Sequence, residues 1–164
     1  MRHLYLIRHA KSSWRDPHLQ DIDRPLNKRG IRDAPMMGER LRKAGICPDL
    51  MLVSPAVRAR ATADAIAGAI GYRQSLVVIV EDLYSFAMEG IVSVLHGVDD
   101  TVQSVALVGH NHGMTSAAEW FTGASLGNVP TCGIVAIDTM VDQWRLMSAG
   151  DGMLRFFDYP KRTL

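Results

Sequence analysis

Short runs of apolar and β-branched residues alternate along the chain with longer stretches that repeat apolar positions at helical spacing. The short runs are continuous rather than alternating with polar residues, which is typical of strands covered on both faces of a parallel sheet. No helical stretch separates the last two runs, so we expect that edge of the sheet to be antiparallel. The predicted strands are Leu4–Ile7, Leu50–Val53, Leu76–Val80, Ser104–Val108, Gly133–Asp138 and Leu154–Phe157.

Helix start and stop signals mark the stretches between these strands. Asn27 is a candidate N-cap for the first helix, and Pro35 is expected to kink that helix or restart it. Ser54 and Pro55 form an N-cap and first-turn pair for an alanine-rich second helix. The predicted helices begin near Asn27, Ser54, Met88 and Gly113, and they end near Ala44, Gly71, His96 and Gly123.

Length and composition favour one globular domain. The chain has 164 residues, of which 48% are hydrophobic and 21% charged, and this composition argues against disorder. We therefore predict a single domain of residues 1–164. Its predicted fold class is a three-layer α/β sandwich with a mostly parallel central sheet and an antiparallel edge.

Charge, hydropathy and cysteine content narrow the partners and the compartment. The 18 basic and 17 acidic residues nearly balance, so nothing indicates a nucleic-acid or membrane-surface partner. The apolar runs are too short to span a bilayer, and the first residues do not form a secretory signal. Cys47 and Cys132 fit a reducing compartment, so we expect a cytoplasmic location. The sequence leaves the oligomeric state open.

Polar residues follow three of the predicted strands at their carboxyl ends. Arg8 and His9 follow the first strand, Arg58 lies in the helix after the second, and His110 follows the fourth. In open α/β sheets, ligands bind in the crevice outside the carboxyl ends of the strands. We therefore expect two arginines and two histidines around one crevice, with the His9 side chain facing solvent.

These four residues suit the chemistry of a tetrahedral dianion. Arginine presents a planar fork to two phosphate oxygens and keeps its charge, and a helix start near Ser54 adds its dipole. One histidine with a free ring nitrogen can attack phosphorus, while the other, protonated, stabilises an equatorial oxygen. The arginines and the imidazolium supply the positive charge, so the chemistry needs no metal or other cofactor.

Other interpretations of the same residues stay open at this point. Taken alone, Arg58 could be a solvated helix residue and His110 a satisfied histidine at a strand end. His110 and His112 could form a metal pair, but no Asp, Glu or Cys cluster with ligand spacing accompanies them. The remaining histidines are interpreted as structural or surface residues: His3, His18 and His96.

Several segments resemble motifs of the histidine phosphatase superfamily, which has the phosphoglycerate-mutase-like fold. The segment "LYLIRHAKSSW" resembles the superfamily's Arg-His-Gly motif, "SPAVRARATA" its second arginine motif and "VGHNHG" its second histidine motif. These segments, with "RPLNKRG" and "TCGIVAID", are at Leu4–Trp14, Ser54–Ala63, Val108–Gly113, Arg24–Gly30 and Thr131–Asp138. The short length and the wording "RHAKSSW…DIDRPL" are most similar to the SixA-type phosphohistidine phosphatases.

The resemblance implies a role for individual residues. It makes His9 the nucleophile that becomes phosphohistidine and His110 the partner histidine, with Arg8 and Arg58 as a clamp on the phosphoryl group. It also implies peripheral roles, as phosphate contacts for Arg24 and Ser12 and as entrance residues for Lys11 and Trp14. The implied partner is a phosphorylated histidine of a phosphorelay protein, or a small phosphorylated substrate, and no cofactor is implied.

One departure from the family pattern bears on the substrate. Larger members have an acidic residue in a Leu-x-Glu context after the third strand, where this chain has Ser85 two residues after Leu83. An alkoxide leaving group needs an acid, whereas a departing imidazole does not, so the departure favours a phosphohistidine substrate. Two alternatives stay open: a general phosphomonoesterase with Glu81 or Asp82 as the acid, and a non-catalytic phosphoryl-binding regulatory module.

Overall fold

The computed structural model describes residues 1–162. These residues form one mixed sheet with α-helices on both faces. The last two residues of the predicted domain, residues 1–164, lie outside the described part. The strands are β1 (Arg2–Arg8), β2 (Leu50–Val53), β3 (Val78–Ile79), β4 (Ser104–Gly109), β5 (Ile134–Thr139) and β6 (Gly152–Asp158). The α-helices are α1 (Lys28–Lys43), α2 (Val57–Ile70), α3 (Met88–His96) and α4 (Gly113–Thr122).

The strand order is β3-β2-β4-β1-β5-β6, and the first four strands run parallel. β5 pairs antiparallel with both β1 and β6, which confirms the predicted antiparallel edge and the predicted fold class. In the register, Arg8 lies opposite Gly109 and Val53 lies opposite Val108. The carboxyl ends of β1, β2 and β4 are therefore level with one another at one edge of the sheet.

Each face of the sheet carries its own apolar core. Along β1, Tyr5 and Ile7 belong to the core shared with α1 and α2, whereas Leu4 and Leu6 belong to the core shared with α3 and α4. Helices on both faces explain why the central strands read as continuous apolar runs. Within residues 1–162, no helix has both the length and the hydrophobicity needed to cross a lipid bilayer.

The chain leaves β1 toward the α1 face and leaves β4 toward the α4 face, although β1 and β4 are neighbours in the sheet. Adjacent strands whose connections depart to opposite faces leave a crevice between them at their carboxyl ends. His9 and His110 follow these two strands directly. The topology therefore opens its binding crevice between the two predicted catalytic histidines.

The prediction of a buried third strand over Leu76–Val80 was wrong. Leu76 lies in a 3₁₀ turn, and β3 consists of two residues, Val78 and Ile79, that are 45% and 48% exposed. β3 is the outermost strand and pairs with β2 alone. A continuous apolar run does not distinguish a covered central strand from an open edge strand, because both favour β-branched residues.

Two helix-start predictions have different outcomes. Asn27 caps α1 as expected, since its side-chain oxygen accepts a hydrogen bond from the Gly30 amide at 2.9 Å. Ser54 does not cap α2, which begins at Val57 after Ala56 without a side-chain cap. Ser54 instead uses its Oγ to bond the Nε2 atom of His110 at 2.8 Å. Ser54, predicted as a helix cap, is thus a hydrogen-bond partner of a crevice histidine.

Pro35 does not divide α1, which runs as one helix from Lys28 to Lys43. Proline has no amide hydrogen for the carbonyl four residues earlier, which here belongs to Ile31. Both residues are on the exposed side of the helix, and Ile31 is 63% exposed. The missing hydrogen bond therefore lies on the solvent face, away from the core.

Candidate active site

The structure brings together the two histidines that the sequence placed at separate strand ends. The ring centroids of His9 and His110 are 5.2 Å apart, and the two residues are 8% and 1% exposed. The expectation that His9 faces solvent was wrong. α2 packs against the end of β1, where the Ala10 amide donates to Thr62 Oγ at 2.9 Å. The pair thus lies at the bottom of the crevice.

The hydrogen bonds of His9 fix which ring nitrogen is available. Its Nδ1 lies 2.7 Å from the carbonyl oxygen of Ala10, so the neutral ring carries its proton on Nδ1 and a lone pair on Nε2. The pKa of His9 is lowered to about 3, chiefly by burial. The hydrogen bond to the Ala10 carbonyl raises this pKa, whereas the charges of Arg58 and Arg8 lower it. At neutral pH the Nε2 atom is unprotonated, as a nucleophile requires.

Arg58 offers different edges of its guanidinium group to two sets of partners. Its inner edge faces the two histidines, with Nε 3.3 Å from His9 Nε2 and Nη2 3.4 Å from His110 Nδ1. Its outer edge faces Asp21, with Nη1 donating to the carbonyl oxygen at 2.6 Å and Nη2 donating to Oδ2 at 2.9 Å. Arg58 is 2% exposed, so nearly all of its polar capacity is directed at these groups.

Asp21 was not identified from the sequence. Its carboxylate accepts hydrogen bonds from Arg58, from both Nε and Nη2 of Arg24, and from the Tyr84 hydroxyl at 2.6 Å. Burial tends to raise the pKa of Asp21, but the hydrogen bonds from Tyr84, Arg58 and Arg24 prevail and lower it to about 2. The motif "DIDRPL" contains Asp21, but nothing in its spacing points toward Arg58.

His110 is enclosed by polar and aromatic neighbours. Ser54 Oγ lies 2.8 Å from Nε2, and the rings of Tyr84 and Phe86 lie 5.3 and 5.0 Å away, between centroids. Burial, followed by the charge of Arg58, lowers the pKa of His110 to about 4. Without a bound anion His110 is therefore neutral at neutral pH, whereas the sequence argument had it protonated. A dianion beside the ring would favour its protonated form.

Arg8 retains unused hydrogen-bonding capacity. Its Nη1 donates to the carbonyl oxygen of Val129 at 2.9 Å, whereas its buried Nε has no partner within residues 1–162. Asn111 and Thr115 hold Val129 in place through its carbonyl and its amide. Burial lowers the pKa of Arg8. A half-buried guanidinium with an unmet donor is suited to an anion that binds beside it.

The predicted peripheral residues lie beside this centre. Arg24 is 7% exposed and donates through Nη1 to Ser12 Oγ at 2.8 Å, and its guanidinium carbon lies 3.5 Å from the centroid of the Trp14 ring. Trp14 is 74% exposed and Lys11 is also exposed. Arg24, Ser12 and Trp14 thus form one cluster beside Asp21, which we call the rim of the crevice. Lys11 and Trp14 as entrance residues stay predictions. Phosphate contacts by Arg24 and Ser12 stay predictions.

Close packing explains why the segment Arg24–Gly30 ends in glycine. A Cβ atom at this position would lie 2.2 Å from the carbonyl oxygen of Lys11, which accepts a hydrogen bond from the Asn27 amide at 2.9 Å. The start of α1 thus packs directly on the loop that follows β1. Any larger residue would displace the loop that carries Ser12.

The candidate acids lie outside the hydrogen-bond network of the histidines. Glu81 and Asp82 are exposed in a 3₁₀ turn, and in the described part of the chain neither carboxylate contacts a site residue through a hydrogen bond or ion pair. Ser85 Oγ bonds the backbone of Ala87. Tyr84, which was not identified from the sequence, is the residue of this segment that contacts Asp21 and the His110 ring.

His112 is exposed at the start of α4. Across residues 1–162, no group of three or more His, Cys, Asp or Glu side chains has an arrangement that could hold a metal ion.

A model of the histidine phosphatase superfamily, branch 1, matches residues 4–91, which are just over half of the chain. The chain belongs to this superfamily. A solved structure assigned as the phosphohistidine phosphatase SixA of Agrobacterium tumefaciens is 30% identical, with a TM-score of 0.81. That alignment covers 97% of this chain and 98% of the other. The family and the SixA-like character predicted from the sequence are confirmed.

Two further similarities concern the fold and the sequence of the chain. The protein histidine phosphatase SixA complexed with tungstate superposes with a TM-score of 0.77 at 18% identity, over 96% of this chain and 97% of the other. This likeness concerns the fold. An uncharacterised chloroplastic protein of Arabidopsis thaliana is 33% identical over 153 residues, covering 87% of this chain and 69% of the relative. Family membership and the SixA neighbours support a phosphatase, which is a hydrolase.

Proposed function

We propose that this protein is a metal-independent phosphohistidine phosphatase that forms a phosphohistidine intermediate on His9. One observation carries the proposal: the unprotonated Nε2 of His9 faces the inner edge of Arg58, and His110 lies beside the same edge. A nucleophile, a fixed positive charge and a second imidazole therefore converge on one small space. We infer that the phosphorus of the substrate is bound there.

The proposed reaction has two displacements. The donor imidazole first takes up a proton from solvent on its other ring nitrogen. His9 Nε2 then attacks phosphorus, the bond from phosphorus to the donor nitrogen breaks, and its electron pair stays on the donor, which leaves as neutral imidazole. Water next attacks the phosphorus of phospho-His9, the electron pair of that P–N bond returns to Nε2, and both hydrogens of the water leave with inorganic phosphate. Arg8, Arg58 and a dianion-protonated His110 stabilise the charge on the equatorial oxygens in both steps.

Within residues 1–162, no carboxylic acid is placed to protonate a leaving group, and this favours phosphohistidine over alkyl phosphate. Asp21 is ionised at neutral pH because its pKa is about 2, and Tyr84 already donates its hydroxyl proton to Asp21. A departing imidazole has a conjugate acid with a pKa of about 6.5 and takes up its own proton, whereas an alkoxide needs an acid. The exposed Trp14 and Phe86 beside the site suit a side chain presented on a protein surface. A cytoplasmic phosphorelay protein as substrate stays a prediction.

The test compares three substrates that differ in leaving group. We expect turnover of phosphohistidine, or of a phosphoramidate, and of p-nitrophenyl phosphate, with alkyl phosphates turned over poorly. Glu81→Gln and Asp82→Asn should leave the first two activities nearly unchanged.

Rapid alkyl phosphate hydrolysis that either substitution abolishes would favour the general phosphomonoesterase instead. Tungstate binding without turnover of any of the three substrates would favour the non-catalytic phosphoryl-binding module.

A further inference from the structure

A buried arginine in a reaction centre must be held in one orientation to use its fork. Arg58 has five N–H groups, and its Nε and Nη2 face the histidines while its outer edge faces Asp21. The contacts to the histidines are long, at 3.3 and 3.4 Å, and those to Asp21 are short, at 2.6 and 2.9 Å. The strong bonds that orient the guanidinium group are therefore those to Asp21.

We propose that Asp21 is a positioning residue for the arginine clamp. Asp21 holds the outer edge of Arg58, so that the inner edge of Arg58 points at the phosphoryl group. The inference rests on the proposed function, because it assigns that inner edge to the substrate. Asp21 accepts from Nη1 and from one N–H of Nη2, so Nε and the other N–H of Nη2 stay on the inner edge, toward His9 and His110.

Asp21 is itself held from two sides. Tyr84 donates its hydroxyl to Oδ2, and Arg24 donates to Oδ1 from Nε and Nη2 at 3.3 and 3.2 Å. The Asp21 side chain is 43% exposed, so without these bonds it would be free to turn into solvent. The carboxylate thus links the buried Arg58 to the rim residue Arg24. A charge-assisted network of this kind orders several side chains together.

The opposite role would be competition, with Asp21 withdrawing Arg58 from the substrate. The two roles predict opposite signs for the binding of an oxyanion when the carboxylate is removed. Positioning predicts weaker binding of vanadate, which mimics the five-coordinate transition state, because the fork loses its orientation. Competition predicts tighter binding, because a negative charge and a rival acceptor are removed.

The chain offers a matched control in the same 3₁₀ turn. Asp23 is exposed, and within residues 1–162 its carboxylate makes no hydrogen bond or ion pair. Asp21→Ala and Asp23→Ala therefore remove the same charge two residues apart. We expect Asp21→Ala to lower kcat/KM for p-nitrophenyl phosphate roughly 10- to 100-fold, mostly through kcat, because it misplaces a catalytic group. Asp23→Ala should stay within about twofold of the wild type.

Three further measurements make the assignment specific. Asp21→Asn retains one acceptor and should recover part of the activity. Vanadate binding should weaken in Asp21→Ala by about the same factor as kcat/KM, and inorganic phosphate binding should weaken less. In an Arg58→Lys background, Asp21→Ala should cost little more, because lysine has no fork to orient.

Equal kcat/KM values for Asp21→Ala and Asp23→Ala would overturn the inference, and so would tighter vanadate binding in Asp21→Ala or an undiminished loss in the Arg58→Lys background. A wild-type protein that turns over no phosphorylated substrate would instead overturn the proposed function. The vanadate titrations would then still test whether Asp21 positions Arg58.

Discussion

An Arg-His pair occurs at both ends of β1, and the two pairs have different surroundings. At the first end, Arg2 donates to four backbone carbonyls, those of Val141, Asp100, Val102 and Asp142, and lies over the Trp144 ring at 5.3 Å. His3 bonds the carboxylate of Asp138 at 2.6 Å. At the other end, Arg8 has one carbonyl acceptor and a buried Nε without a partner in the described residues, and His9 Nε2 faces Arg58.

The difference shows that unused hydrogen-bonding capacity marks the site, rather than residue type. Arg2 is buried and satisfied by the protein itself, so it ties the loops at the amino end of β1 together. Arg8 keeps an unmet donor for a ligand, and the lone pair on His9 Nε2 has only the long contact from Arg58 Nε, at 3.3 Å. The same pair of residues is therefore structural at one strand end and available for chemistry at the other.

The largest effect is expected from replacing the proposed nucleophile, His9. His9→Asn should reduce turnover by roughly 10⁴-fold or more, because no other group can take the place of the nucleophile. His3→Asn should leave turnover within about threefold of the wild type, because His3 lies near the amino end of β1, away from the site. Steady-state kinetics checks both variants, and thermal unfolding checks that both are folded. A His9→Asn variant that is as active as the wild type would end the covalent mechanism.

The arginines should separate activity from stability. Arg58→Lys and Arg8→Lys keep a charge but lose the two-pronged geometry, so we expect each to reduce kcat/KM on the order of 10²-fold. Arg2→Lys should instead lower the free energy of unfolding by about 2 kcal/mol, because lysine cannot reach four carbonyls. Its activity at low temperature should persist. If Arg2→Lys loses activity while it remains folded, the contrast between the two ends of β1 is wrong.

Acid should destabilise the site end of β1 through its neutral histidines. The folded-state pKa values of about 3 for His9 and about 4 for His110 are below the value of about 6.5 for an exposed histidine. Between pH 6.5 and 4 the unfolded chain therefore binds more protons than the folded one. Each histidine should reduce the free energy of unfolding by up to about 1.4 kcal/mol per pH unit as pH falls.

Denaturant unfolding at a series of pH values checks this prediction. His110→Gln should flatten the slope of stability against pH between 6.5 and 4. His3→Gln, at the amino end of β1, is the control variant outside the site. Equal flattening by the two variants would show that the pH dependence does not arise at the site.

The smallest expected effect is that of chelators. The proposed chemistry takes its positive charge from Arg8, Arg58 and a protonated His110, so EDTA should leave kcat/KM unchanged. Inhibition by EDTA that zinc or magnesium reverses would favour the metal interpretation of His110 and His112. It would also remove the reason for treating the arginines as the main source of positive charge.

The layers of the fold could be predicted from the continuous apolar runs. The four central site residues could be predicted because they follow the carboxyl ends of strands. His9, Arg58 and His110 could be placed together because parallel strands deliver their carboxyl ends to one edge. Asp21 could not, since it meets Arg58 and Tyr84 across separations of 37 and 63 residues, through a loop with no periodicity. The burial of His9 also depends on tertiary packing, because α2 rather than β1 covers it.

The most direct test is to identify where phosphate becomes attached during turnover. The protein is mixed with a ³²P-labelled phosphoramidate, quenched within the turnover time and digested for mapping. We predict an acid-labile, base-stable label on the peptide that contains His9, absent from His9→Asn and retained in His3→Asn. Turnover without any such label, or a label that persists in His9→Asn, would contradict the account.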